Sequence, residues 1–223
     1  MIATATFPSQ PFLGGTFASG ADAPIRTLID PATGEACGQL AEATVADVES
    51  AVLHARNAFE QTWKLTTPGR RAEVLLAIAT RIEALGEQIA WADCWSMGKP
   101  ITAARGEARY GATAFRHFAS AIAHWGGQTV PVARGGFDYT LRVPLGVAVG
   151  IIPWNFPFPI ACWKTAAALA SGNCMIIKPA ETTPWSALLL GQAAAEAGLP
   201  EGVLQILPGD GQTVGEALVL DPR

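Results

Sequence analysis

The sequence contains few charged residues. Lysine, arginine, aspartate and glutamate make up 15% of its 223 residues, and they form no basic run. The net charge of −4 therefore gives no electrostatic support for a nucleic-acid or acidic-membrane partner. Hydrophobic residues make up 50% of the chain, which is enough for a substantial core.

Cysteine and histidine are also scarce, and their spacing does not suit a metal. The 4 cysteines show no C-x-x-C spacing, and the 3 histidines, His54, His117 and His124, fall within helical patterns. We therefore expect no metal site. Arg26 is the first basic residue, so the N-terminus lacks the positively charged start of a secretory signal. The scattered cysteines then favour a reducing compartment, and we predict a cytoplasmic location.

An uncharged stretch runs from Val143 to Trp163, which is about the length that a membrane-spanning helix needs. Prolines recur within it, and each proline removes a backbone donor and interrupts a helix. A membrane partner is therefore not expected.

The first part of the chain, residues 1–130, is predicted to form hairpins followed by helices. Turn residues at Gly14–Gly15 and at 30–34 predict two β-hairpins. Three long helices are predicted to follow. The first begins at the capping box of Thr44 and Asp47, the second runs from Thr67 to about Met97, and the third covers 101–125. Partial alternation then predicts a strand over 137–146.

From residue 147 the hydrophobic period changes. The segment 147–152 is a continuous apolar run, which is typical of a strand buried on both faces of a parallel sheet. The mostly apolar segments 174–178 and 203–207 predict a second and a third strand. Helices bounded by proline and glycine are predicted between them, at 157–172 and 183–198. This β-α-β-α-β order predicts an α/β fold in which N-terminal helices precede a doubly wound parallel sheet.

Ligands of an open parallel sheet bind at the carboxyl ends of its strands, so the turns after the three strands are the candidate sites. Lys178 and Glu181 follow the second strand, where a lysine and a carboxylate can hold the hydroxyls of an adenosine ribose. A solvated pair in a surface loop is an equal alternative. The third turn carries Gly209, Gly211 and Gly215, which suits either an anion-binding loop or an ordinary tight turn.

The turn after the first strand reads Pro-Trp-Asn-Phe-Pro, residues 153–157. Proline restricts the backbone, so this turn would present Asn155 rigidly at the edge of the sheet. A fixed amide group is a good donor to a developing oxyanion. The alternative is an asparagine that bonds its own backbone within the turn.

These motifs together resemble the aldehyde dehydrogenase superfamily. The segments that carry the resemblance are "DPATGE", "GKP" at 98–100, "PLGVAVGIIPWNFPF", "WKTAAALASGNCMIIKPAE", "AGLPEGVLQILPGDG" and the trailing Gly215. The resemblance runs from about residue 10 to the end and is nearest to the betaine-aldehyde and aminobutyraldehyde branch. It implies NAD-dependent oxidation of an aldehyde to a carboxylic acid through a cysteine thiohemiacetal, on a Rossmann-like cofactor domain.

The resemblance also implies roles for particular residues. Asn155 would serve the oxyanion hole, and Lys164 would take part in a charge relay, although a lysine whose head only reaches water is the alternative. Cofactor contacts are implied for Ile152, Pro153, Trp154, Asn155, Lys178, Pro179, Ala180, Glu181 and Gly211. The carboxylate of Glu181 would repel a 2′-phosphate, which makes NADP less favoured than NAD.

Family members are much longer than this chain, so the resemblance implies a truncated cofactor domain. Residues 1–130 would form its hairpins and helices, 131–146 a strand of the oligomerisation hairpin, and 147–223 the first part of the NAD-binding unit. The catalytic domain, with the nucleophilic cysteine and the general-base glutamate, would be absent.

Three expectations follow from such a truncation. The chain alone should not oxidise aldehydes, its third strand should be an exposed edge, and the complete protein should be a homo-oligomer. A non-catalytic module for nucleotide binding or subunit association is the alternative function.

Overall fold

The computed structural model describes residues 6–20 and 22–223, so residues 1–5 and 21 of the predicted segment 1–130 lie outside the described residues. Two hairpins begin the fold. Strands β1 (Phe12–Leu13) and β2 (Thr16–Phe17) turn at Gly14 and Gly15, whose φ angles of 57° and 90° favour glycine. Strands β3 (Ile25–Ile29) and β4 (Ala36–Ala41) form the second hairpin. Both hairpin predictions are confirmed.

Four helices follow: α1 (Val45–Gln61), α2 (Pro68–Ala84), α3 (Gly86–Met97) and α4 (Ile101–Ala121), the last continued by a 3₁₀ turn over Ile122–His124. The capping box of Thr44 and Asp47 is confirmed. The prediction of one helix from Thr67 to Met97 is wrong, because the helix breaks at Leu85, whose backbone leaves helical geometry at ψ 3°. Glycine at the next position weakens helix continuation there.

The strand predicted over 137–146 is much shorter than expected. Only Asp138–Tyr139 (β6) pairs, with Thr129–Val130 (β5), and most side chains around this hairpin are exposed. No other described strand pairs with this hairpin, so no larger sheet covers the apolar side chains of the segment.

The predicted β-α-β-α-β order is confirmed as β7 (Val147–Ile151), α5 (Pro157–Ala170), β8 (Cys174–Lys178), α6 (Trp185–Glu196) and β9 (Leu204–Ile206). The three strands are parallel. Right-handed crossovers in one direction place α5 and α6 on the same face of the sheet. Helix α1 also contacts all three strands, and it covers the opposite face. A π-helical turn over Gly211–Gly215 and helix α7 (Glu216–Leu220) complete the described chain.

The sheet has the order β2-β1-β9-β8-β7, which corrects two predictions. The third parallel strand, β9, is not an exposed edge, because β1 pairs with it antiparallel and all its residues are buried. The edge of the parallel part of the sheet is β7, where Val149 and Ile151 are 40% and 50% exposed, so this strand is not buried on both faces as predicted.

Two further properties concern residues 6–20 and 22–223. None of the helices in these ranges combines the length and the apolar character that crossing a membrane requires. The same ranges bring together no group of three or more histidine, cysteine or acidic side chains that could hold a metal ion.

Candidate functional site

The three candidate turns leave the same edge of the sheet. The backbone N–H of Ile152 donates to the carbonyl of Lys178 at 3.0 Å, and the N–H of Leu207 donates to the carbonyl of Ile177 at 2.8 Å. Each of the three strands therefore ends level with its neighbour. The segments that follow Ile152, Lys178 and Leu207 line one rim, as expected for the carboxyl edge of a parallel sheet.

The first turn presents Asn155 to solvent. Ile152 is buried, whereas Trp154 is 60% exposed and Asn155 is exposed. Helix α5 begins directly afterwards at Pro157, and Phe156 has the extended φ of −136° that is usual before a proline. The carboxamide of Asn155 makes no hydrogen bond to any residue that the structure describes. The carboxamide is therefore free to bind a ligand. The alternative, an asparagine that bonds its own backbone within the turn, is not observed.

The second turn joins a buried ammonium to a half-buried carboxylate. Lys178 is 3% exposed, and its Nζ donates to the carbonyl of Pro179 at 3.2 Å and to Glu181 Oε2 at 3.3 Å. Burial opposes ionisation of Glu181. A backbone hydrogen bond and the charges of Lys178 and Arg26 outweigh burial, and they hold the pKa of this carboxyl below its ordinary value. Ala180 is half-buried between these groups.

The third turn lies beside the second. Asp210 accepts a hydrogen bond from the N–H of Thr213 at 2.7 Å and so opens the π-helical turn. Gly211 is exposed, and a side chain there would meet open space. A methyl group on Gly215 would lie 3.9 Å from the Cδ of Lys178, so this glycine lies beside the aliphatic part of the buried lysine side chain.

Lys164 lies on α5 and extends over β7. A methyl group on Gly150 would come within 3.2 Å of its Cδ, so the aliphatic stem crosses the edge strand. The side chain is exposed, and it forms no ion pair with any acidic group in the described ranges. The geometry therefore places Lys164 near the strand that leads to Asn155, with its ammonium in water.

The four cysteines lie away from the rim or are buried. Burial raises the pKa of the Cys162 thiol well above its ordinary value and the pKa of Cys174 to about 12. Burial also raises the pKa of Cys37 and of Cys94. A thiol reacts as its thiolate, so none of these four is suited to nucleophilic attack.

The structure also contains an aromatic groove that the sequence patterns did not reveal. A groove of about 500 Å³ on α4 and α5 is lined by Tyr110, Thr113, Ala114, His117, Phe118 and Trp163. The rings of Tyr110 and Trp163 meet edge to face with centroids 5.6 Å apart. Spacings of three and four along α4 put its lining residues on one face, but only the packing of α4 on α5 shows what that face opposes.

Comparison with known proteins identifies the chain's family. Residues 17–223 match the Aldehyde dehydrogenase family. This chain belongs to the aldehyde dehydrogenase family. DhaS of Bacillus subtilis (strain 168) is 40% identical over 209 residues, which are 93% of this chain and 42% of DhaS. The NADP/NAD-dependent aldehyde dehydrogenase PuuC of Escherichia coli (strain K12) is 36% identical over 209 residues, with the same coverage of each chain.

A solved aldehyde dehydrogenase structure has the same fold. The NAD+ complex of the Bacillus cereus aldehyde dehydrogenase superposes with a TM-score of 0.92 at 35% identity, covering 96% of this chain and 44% of that one. This aldehyde dehydrogenase chain therefore spans 42–44% of the length of these three relatives. The Rossmann-like α/β fold expected from the sequence is confirmed.

Proposed function

We propose that the protein to which these residues belong oxidises an aldehyde to a carboxylic acid, with NAD as the hydride acceptor. The observation that carries this proposal is the exposed, unbonded carboxamide of Asn155 on the same rim as Lys178 and Glu181. A donor fixed beside a nucleotide site is what stabilisation of a negatively charged adduct requires.

The residues on the rim fit a dinucleotide. The Lys178 ammonium has three N–H donors and uses two of them on Pro179 and Glu181, so one remains for a ribose hydroxyl. The ionised Glu181 can accept from the same sugar, and the open space at Gly211 leaves room beside the third turn. We propose further backbone contacts at Ile152, Pro153, Trp154, Asn155, Pro179 and Ala180. When bound, the dinucleotide supplies the hydride acceptor.

The charge at the ribose site favours NAD over NADP. The pKa of Glu181 is held below its ordinary value, so the carboxylate is ionised at neutral pH and opposes a 2′-phosphate. Arg26 is the nearby cation, but its guanidinium is engaged by Glu42. Arg26 is therefore not free to receive a phosphate while that ion pair persists.

Asn155 and Lys164 are the catalytic groups that we assign to this chain. The N–H of the Asn155 carboxamide would stabilise the oxyanion that forms when a thiolate adds to the aldehyde, and such a donor contributes about 3–4 kcal/mol to transition-state stabilisation. Lys164 would relay charge from its position over β7. Because all four cysteines here are disfavoured as thiolates, we propose that the nucleophile lies outside these residues and that this chain alone does not oxidise aldehydes.

The aromatic groove supports a cationic aldehyde as substrate. Tyr110 and Trp163 present ring faces and edges beside the helix that begins at the Asn155 turn. Aromatic faces attract quaternary and primary ammonium groups by cation–π interaction. We therefore propose the betaine-aldehyde and aminobutyraldehyde branch as the substrate class.

A second role in subunit association is supported by one surface. Phe137, Leu141, Val143 and Leu145 are large apolar residues, and each is more than two-thirds exposed on or beside the β5–β6 hairpin. Exposed apolar patches mark association sites. We propose that 131–146 joins subunits, 1–130 completes the cofactor domain and 147–223 begins the NAD-binding unit.

The decisive experiment is a calorimetric titration of the chain with NAD and, separately, with NADP. Replacing Lys178 by Met or Glu181 by Gln should weaken NAD binding about tenfold, which corresponds to the loss of about one charge-assisted hydrogen bond. Lys64→Met, an exposed lysine remote from the rim, is the control. Equal NAD affinity in all four proteins would contradict the ribose assignment.

A second experiment separates the enzyme from the association module. Reading the coding sequence past Arg223 should reveal a Gly-Ser-Thr turn, an acidic Leu-Gly-Gly segment and a cysteine motif if the protein is an enzyme. A stop codon there would favour the non-catalytic alternative. NADH production from aldehydes by the 223-residue chain would overturn our assignment of the nucleophile to another segment.

A further inference from the structure

Lys99 occupies the short connection between α3 and α4. Gly98 ends α3 with a left-handed φ of 73°, and Pro100 precedes the first residue of α4. Gly98 permits the left-handed turn that ends α3, and Pro100 disfavours helical geometry at Lys99, the residue before it. The Lys99 side chain is only 8% exposed, so this long cation is held inside the fold instead of extending into solvent.

The ammonium of Lys99 reaches the turn that carries Asn155. Its Nζ forms an ion pair with Glu107 of α4, donates to the backbone carbonyl of Asn155 at 3.0 Å, and lies 4.7 Å from the ring centroid of Phe156. The side chain of Glu107 is itself largely buried. One cation therefore joins α4 to two consecutive residues of the candidate site.

The hydrogen bond from Lys99 to the carbonyl of Asn155 differs from the other hydrogen bonds of the turn over 153–156. Among the hydrogen bonds of residues 6–20 and 22–223, it alone ties the backbone of 153–156 to an element other than α5. The bond from Ile152 to Lys178 comes before the turn, and the bond from Ile160 to Phe156 belongs to α5. Because a peptide unit is planar, fixing the carbonyl of Asn155 fixes the plane between Asn155 and Phe156.

We propose that Lys99, anchored by Glu107, is a positioning residue that sets the direction of the Asn155 carboxamide. This inference rests on the proposed function of Asn155 and deepens it. Prolines at 153 and 157 restrict φ at their own positions, but they leave the torsions of Asn155 free. The Lys99 bond restrains those torsions from outside the turn. Lys99 acts through Asn155, and its ammonium is already committed to protein groups.

The test uses the carboxamide signals of the three asparagines, Asn57, Asn155 and Asn173, in asparagine-selective ¹⁵N spectra. Asn173 is an internal reference, because its side chain bonds the N–H of Gly146 and the hydroxyl of Ser171. Lys99→Met keeps most of the stem and removes the donor. It should move the Asn155 signals toward those of the exposed Asn57 and leave Asn173 unchanged. Lys99→Arg should recover most of the wild-type position.

A double variant separates positioning from stability. Lys99→Met leaves Glu107 buried without its partner and should lower the melting temperature. Adding Glu107→Gln removes that unpaired charge, so it should restore the melting temperature without restoring the Asn155 signals. Unchanged Asn155 signals in Lys99→Met, or their recovery in the double variant, would overturn the inference.

Kinetics of the whole protein, measured with 4-aminobutyraldehyde and NAD, distinguish this inference from the proposed function. Lys99→Met should lower kcat about 10–100-fold, as misplacing a catalytic group does, and leave the KM for NAD unchanged. If Asn155→Ala lowers kcat and Lys99→Met does not, only the positioning role fails. If Asn155→Ala has no effect, the proposed function itself fails.

Discussion

Strands β7 and β8 are built from similar sequences and have different environments. "VAVGI" and the first four residues of "CMIIK" are both apolar runs, yet every residue of β8 is buried while β7 leaves Val149 and Ile151 half exposed. The difference arises from position, because β8 lies between two strands and β7 is last in the sheet. An apolar run predicts that a strand forms, but its burial depends on neighbours supplied by distant segments.

The turns after these strands differ in the same way. Lys178 ends the buried strand, and its own turn and Gly215 hold it in place. Asn155 follows the edge strand, where its side chain is exposed, and we propose that its turn is held by prolines and by Lys99 from the connection between α3 and α4. A ribose-binding group can therefore be positioned by the core, whereas an exposed donor needs an external restraint.

The largest expected effect tests the difference between the strands. Ile177→Ala in β8 removes a fully buried side chain and should lower the free energy of unfolding by about 4 kcal/mol. Ile151→Ala in β7 is the matched change at a half-exposed position and should cost about 1 kcal/mol or less. Urea unfolding measures both values. Equal losses would show that the edge of β7 is covered in solution.

The next effect tests the exposed turn. In the whole protein, Asn155→Ala should lower kcat about 10²–10³-fold, or about 3 kcal/mol, because the adduct loses a preorganised donor. The melting temperature should not change, since the side chain makes no hydrogen bond to described residues. Asn57→Ala, on α1, is the control. Equal kcat values for the two variants would exclude a catalytic role for Asn155.

Sequence patterns predicted local features well. The capping box at Thr44, the hairpin at Gly14–Gly15 and the strand at 174–178 all depend on neighbouring residues, and all three are confirmed. The internal position of β9 was not predicted, because it depends on β1 pairing with β9 across nearly the whole chain. A strand's position in the sheet depends on strand order, which a local sequence pattern does not specify.

The residues of the candidate site also differ in whether a local sequence pattern could identify their role. Motifs identified Lys178, Glu181 and Asn155, and the strand register brings their turns to one rim. Lys99 was noticed only as part of a motif, and its contact with Asn155 joins residues 56 positions apart. A long-range contact of this kind follows from how α4 packs against α5. A glycine at position 111, directly against Phe158, permits that close approach.

A smaller effect concerns a buried carboxyl near the Lys99–Glu107 pair. Burial raises the pKa of Asp93 from 3.8 to about 7, and the Ser186 hydroxyl and the charge of Lys99 offset this only in part. Between these values the folded chain keeps a proton that the unfolded chain has released, so this group's contribution to stability falls as pH rises from 4 to 7. Well above pH 7 the Asp93 carboxyl is ionised in both the folded and the unfolded chain, so its contribution to stability falls no further.

Asp93→Asn should therefore remove this pH dependence. The variant should be about 2 kcal/mol more stable than the wild type at pH 8, because the buried charge is gone. At pH 4 the two proteins should differ little. Thermal unfolding across this range measures the difference, with exposed Asp138→Asn as the control. A constant difference at all pH values would contradict titration of Asp93.

The smallest expected effect tests whether destabilising α1, which packs on the sheet, changes the turn that carries Asn155. Thr44→Ala removes the cap of α1 and should lower the free energy of unfolding by about 1 kcal/mol, because the N–H of Asp47 loses its acceptor. Thr44→Ser keeps the hydroxyl and should be close to wild type. Helix α1 packs on the sheet, so urea unfolding should detect the loss. The Asn155 carboxamide signals should not move, because Lys99, whose bond we hold responsible for them, lies in the connection between α3 and α4 and not on α1. A shift of these signals in Thr44→Ala would show that the two regions are coupled through the sheet.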